Sequence, residues 1–89
     1  MLIELRCNVM AKDFFNYIDK KRLRVYMNEN TLYKLINQIR IYNNWGEDAV
    51  TTDEYIEYVK SGTICALGDY TIVKYDPNVP DGYMRVEDR

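Results

Sequence analysis

The sequence predicts an α+β domain: a small, mostly antiparallel sheet with helices packed on one face. The order reads β-α-β-α-α-β-β, with room for a short fifth strand. Three observations predict it. Apolar residues alternate in two early segments, the period of a half-buried strand. Two later segments carry apolar residues at helical spacing between clear start and stop signals. Glycines at 62 and 68 then bracket an apolar, β-branched run that reads as a hairpin.

The elements follow in order. In residues 2–9, Ile3, Leu5, Cys7 and Val9 point one way and Glu4, Arg6 and Asn8 the other. Residues 10–20 set Ala11, Phe14, Phe15 and Ile18 at helical spacing, with the phenylalanines in the core. Residues 22–27 alternate again, with Leu23, Val25 and Met27 inward and Arg22, Arg24 and Tyr26 outward. Asn28 is placed to cap the next helix, and Met27 and Leu32 to staple its start. Leu32, Leu35, Ile36 and Ile39 form its apolar stripe, and Asn43, Asn44 and Gly46 its stop, with Trp45 at that end.

Thr51 and Glu54 have the spacing of a capping box, with Val50 and Tyr55 as a staple. Asp53 and Glu54 in the first turn and Lys60 in the last turn suit the helix dipole. Gly62 ends that helix by adopting the left-handed conformation cheaply. Gly68-Asp69 suits a two-residue type II′ turn, which pairs Leu67 with Tyr70 and Cys65 with Ile72. That register makes both hairpin faces apolar, with Cys65, Leu67, Tyr70 and Ile72 on one and Ile64, Ala66, Val73 and Tyr75 on the other. One of them then needs cover from this chain or from a partner. Asp76-Pro77 stops the strand, Pro80-Asp81-Gly82 turns the chain, and residues 83–86 supply the short fifth strand at an edge. Glu87, Asp88 and Arg89 should fray.

A chain of 89 residues forms a single small domain, read here as residues 1–89. It has no apolar run long enough for a membrane span and no signal-peptide core, so a cytoplasmic protein is expected. Cys7 and Cys65 are expected as reduced, buried hydrophobes. With no histidine there is no Ser-His or Cys-His activation, and two isolated cysteines make no metal-ligand spacing. No phosphate loop or dinucleotide fingerprint occurs, so no catalytic residue, metal or cofactor is expected and the reading is non-enzymatic. Asp53, Glu54 and Glu57, with Glu47 and Asp48 before them, read as a solvated helix face.

The net charge of −2 hides a split: residues 1–44 carry +4 and residues 45–89 carry −6. The plainest expectation is that the halves attract on folding. Beyond that, two surfaces stand out. Tyr33, Tyr42, Trp45, Tyr58 and Tyr75 belong to a surplus of aromatics that suits docking on a protein partner, as an inhibitor or adaptor. A homodimer burying one hairpin face is the simplest case. Lys20, Lys21, Arg22, Arg24 and Tyr26 form the alternative, a face that grips phosphates and stacks on bases of a nucleic acid. A further alternative is a nucleotide-sequestering protein with a tyrosine-lined pocket at a dimer seam. The wealth of Asn, Tyr, Ile and Lys resembles small accessory proteins of phages and mobile elements.

Overall fold

A computed structural model describes residues 1–42, 50–68 and 70–89, with Tyr42 described by its backbone alone. The strands are β1 (Leu2–Glu4), β2 (Leu23–Met27), β3 (Cys65–Leu67), β4 (Thr71–Tyr75) and β5 (Tyr83–Asp88). The helices are α1 (Met10–Ile18), α2 (Glu29–Tyr42) and α3 (Thr52–Lys60). The strands form a mixed sheet in the order β1-β5-β2-β4-β3, in which only β2 and β4 run parallel. A parallel pair needs a long crossover, and α2 and α3 supply it. The small α+β architecture with helices against the sheet is therefore the observed one.

Side-chain alternation decides which face the helices cover. Leu23, Val25 and Met27 of β2, Val73 of β4, and Met84 and Val86 of β5 are all buried. They meet Phe14 and Ile18 of α1 and the stripe Leu32, Leu35, Ile36 and Ile39 of α2 in one core cluster. Burying a side chain of this size contributes about 1.5–3 kcal/mol, so this layer holds the fold together.

The helix ends form as their sequences direct. The Asn28 side-chain oxygen accepts the Thr31 N–H at 2.8 Å, and Met27 and Leu32 on either side of it are fully buried. At α3 the Glu54 N–H donates to Thr51 Oγ1 at 3.2 Å, and that hydroxyl donates to the Glu54 carboxylate at 3.1 Å. Val50, expected as a staple for Tyr55, stays exposed. The Gly62 N–H bonds Val59 C=O and the Thr63 N–H bonds Tyr58 C=O, with Gly62 at φ 87°. That is a Schellman ending, which satisfies two carbonyls the helix leaves open.

Other expectations are corrected by the strands. β1 ends at Glu4, and Cys7–Val9 is a turn of 3-10 helix, so Cys7 is exposed rather than buried. The hairpin pairs Leu67 with Thr71, Ala66 with Ile72 and Cys65 with Val73, one residue away from the expected register. The connection is thus the three residues 68–70, with Gly68 at φ 71°. One residue of slip turns all of β4 over: Thr71, Val73 and Tyr75 face the helices, while Ile72 and Lys74 face away. The physical cause is β4's parallel partnership with β2, whose inward residues fix which side of β4 is buried.

A further correction concerns β5. It lies inside the sheet between β1 and β2, not at an edge, and is six residues long. Glu87 and Asp88, expected to fray, pair with Arg24 and Leu23. The loop leading into β5 is held from α2: Asn28 Nδ2 donates to Val79 C=O at 2.9 Å, and the Gly82 N–H donates to Thr31 Oγ1 at 2.9 Å. Asn43, Asn44 and Gly46, read as the stop of α2, lie outside the described residues.

Candidate functional site

α1, α2 and α3 pack against one face of the sheet, and among the described residues the opposite face carries exposed or half-buried side chains. The register arranges that face in rows. Leu2, Arg85, Tyr26 and Lys74 lie side by side across β1, β5, β2 and β4. Next to them run Glu87, Arg24, Ile72 and Ala66 across β5, β2, β4 and β3. Ile64, just before β3, is 73% exposed, and Leu2 on the opposite edge is also exposed. The face is therefore apolar at both margins and charged through its middle.

Arg85 organises the centre. Its guanidinium lies 4.0 Å from the centroid of Tyr26 and pairs with Asp76 at 3.0 Å and with Glu87. Asp76 also accepts the Asn78 N–H at 2.9 Å; that bond first, and Arg85 second, hold its carboxyl below the usual range. Tyr26 was expected to offer a free ring for stacking. One side of that ring is already taken by Arg85.

The expected aromatic surface is not one patch. Tyr33 on α2 and Tyr58 on α3 are exposed, on the helical side of the molecule. Tyr75 is half-buried against the core beneath α3, with the Lys60 ammonium 5.7 Å from its ring and that lysine paired to Glu29 at 3.5 Å. The Tyr42 side chain, and Trp45, Glu47 and Asp48, lie outside the described residues.

The basic set is gathered more tightly, at the sheet end where β2 and β4 begin and β5 finishes. The Lys21 N–H donates to Ile18 C=O at 2.9 Å, closing a turn through Asp19 and Lys20. Lys20 has φ 59°, the left-handed region, in a position that normally takes glycine; this costs about 1–2 kcal/mol. The Lys21 ammonium stands 4.1 Å from the ring of Tyr17, and the Arg22 guanidinium 5.1 Å from that of Tyr70. Arg89 joins them: its N–H donates to Arg22 C=O at 3.1 Å and its Nη1 to Tyr70 C=O at 2.7 Å. Arg89 carried no signal in the sequence beyond its charge, because only β5 pairing brings it here.

Among the described residues one ion pair, Lys60–Glu29, joins the two halves, and it runs against the charge split, from a base of the second half to an acid of the first. Among the described residues the ion pairs are Arg6–Asp13, Lys60–Glu29, Arg85–Asp76 and Arg85–Glu87. None joins a basic residue of the first half to an acid of the second. Lys20, Lys21, Arg22 and Arg24 keep their charge unpaired by a carboxylate among those residues, against the expectation.

The interior offers little reactive chemistry. Burial raises the Cys65 thiol and, more strongly, the Tyr55 phenol, whose neighbour Cys65 raises it further. The Tyr55 hydroxyl and Thr71 Oγ1 are buried without a hydrogen-bond partner among the described residues. Both cysteines are free thiols. No described helix is long and apolar enough to cross a membrane. Compared with protein-family models, with curated proteins and with solved structures, the chain matches none.

Proposed function

We propose that this is a small non-enzymatic binding module that docks on a protein partner through the open face of its sheet. The observation that carries this reading is an apolar margin of exposed Ile64 and Ala66 and half-buried Ile72 along β3 and β4, beside Arg24 and Lys74, which form no ion pair among the described residues. An apolar margin next to unneutralised charge fits a partner surface with an apolar centre and acidic rim. Among the described residues β3 ends the sheet with an unpaired edge that carries no charge or proline, onto which an extended segment can pair. The docking surface thus moves from the helical tyrosines to the opposite side of the molecule.

The nucleic-acid alternative draws support from the exposed Arg22 and Arg24, but Tyr26 is a poor stacking platform while Arg85 lies on it. The test is differential. Proteins captured by the wild-type chain should be lost by Ile72→Glu and by Ala66→Arg, and kept by Tyr33→Glu and Tyr58→Glu. All four variants should melt near the wild type. Capture that survives both sheet changes and fails with either tyrosine change overturns the reading. Signal lost to nuclease or steeply to salt moves it to the nucleic-acid alternative. Partner-free self-association, seen by light scattering across a dilution series and abolished by Ala66→Arg, identifies the partner as a second copy.

A further inference from the structure

We propose that the β3 edge pairs antiparallel with the β3 edge of a second copy of this chain, joining two five-stranded sheets into one. The pairing rests on the reading of the open face as a docking surface and names what docks there. β3 is bonded to β4 on one side, and among the described residues no strand lies on the other. An uncovered edge without charge or proline is a template for further pairing. Thr63, Ile64, Cys65, Ala66 and Leu67 carry neither. The opposite edge of the sheet, β1, carries the charge of Glu4.

Three features select a second copy. The first is the extent of the run. Gly62 at φ 87° and Gly68 at φ 71° bound it, leaving residues 63–67 with Cys65 at the midpoint. A two-fold axis at Cys65 pairs every residue of that run with one in the second copy, and such a contact closes on itself. The second is shape. The same axis sets the exposed Ile64 opposite Ala66 of the second copy, so each bulky side chain covers a small one. Ile72, paired with Ala66 across β3 and β4, extends that apolar seam in both copies. The third is charge. Lys74 of β4 would lie three strand spacings from its counterpart, about 14 Å, beyond the Debye length of about 8 Å. Among the described residues the pairing therefore sets no like charges of the run against each other. So short a run falls below the roughly 20–30 residues a side of a standard interface. The dimer is accordingly weak and forms at high protein concentration.

The test is sedimentation velocity on the full chain across a dilution series, with amide hydrogen exchange at both ends of the series. A reversible monomer–dimer equilibrium is expected, with exchange at residues 63–67 slowed at high concentration alone. Ile64→Lys sets a charge on the edge at an exposed position. It should melt near the wild type and weaken the dimer roughly tenfold or more. Ile41→Lys makes the same change at an exposed position on α2 and should leave the dimer intact. A chain that stays monomeric up to about 1 mM overturns the proposal; if Ile72→Glu then still abolishes capture of a foreign protein, the docking reading stands without it. A dimer that forms with residues 63–67 unprotected, or that Ile41→Lys weakens equally, also overturns it.

Discussion

The two faces of the sheet are made by the same strands and differ in every respect that matters. On one, Val25, Met27, Val73 and Met84 are fully buried beneath the helices. On the other, one residue along each strand, Arg24, Tyr26, Ile72, Lys74 and Arg85 are exposed or half-buried, and Arg85 is shared between a ring and two carboxylates. The first face is closed by apolar area and tolerates no gap. The second is held by contacts that remain in water and contribute little each. A buried face and a partly exposed one are therefore separated in this chain by a single step along each strand.

The largest effect should come from the covered face. Phe14→Ala removes a fully buried ring and should cost about 3–5 kcal/mol, read as a fall in the urea midpoint with an unchanged slope. A loss comparable to a surface change would mean that α1 is not part of the core.

Asn28 ties the two layers together, since it caps α2 and also bonds the loop before β5. Asn28→Ala should cost about 1–2 kcal/mol, measured by the same denaturation. Asn28→Asp keeps the cap acceptor but sets a carboxylate oxygen against the Val79 carbonyl and the Asp81 carboxylate that the Asn28 amide bonds, so it should cost about as much as Asn28→Ala.

Acid compares a carboxylate of each layer. Asp13, bonded by the Arg6 guanidinium, is held at about 2 against an ordinary 3.8. Asp76, beside the open face, is lowered by the Asn78 N–H and by Arg85. Both are lower in the folded state than in the unfolded one. Their stabilisation is therefore fully present above the unfolded value and is lost as pH falls toward the folded one. Melting temperature should drop below roughly pH 4, and Asp13→Asn and Asp76→Asn should each make that drop shallower. An acid limb unchanged in both variants would show that neither pairing persists in solution.

The smallest stability change is expected on the open face. Ile72→Glu should shift stability by no more than about 0.5 kcal/mol, while removing partner capture. A large loss of stability there would falsify the separation of the two faces.

Much of this was legible in the sequence, and for local reasons. The Asn28 cap, the Thr51–Glu54 box and the Gly62 ending each act within a few residues, so their spacing was enough. The inward set of β2 was equally plain, since its alternation is unbroken. The hairpin register was not. Gly68-Asp69 allows a two-residue turn, and nothing in residues 63–75 alone favours three. β5 was hidden too, because Met84 and Val86 are a weak pattern without the partners on both sides that bury them. The basic cluster at the sheet end was half visible: the run Lys20–Arg22 stands in the sequence, but Tyr17, Tyr70 and Arg89 join it only in space.

The sequence by itself determined the α+β class, the helix boundaries set by caps, and the residues that must be buried. Those are properties of periodicity and of short-range hydrogen bonding, and a chain carries them before it folds. Tertiary structure decided which face of β4 is open, where β5 sits, and that the cations of the first half stay unpaired by the acids of the second among the described residues. Each depends on which strand lies beside which, a choice made by the whole core at once and by no single segment.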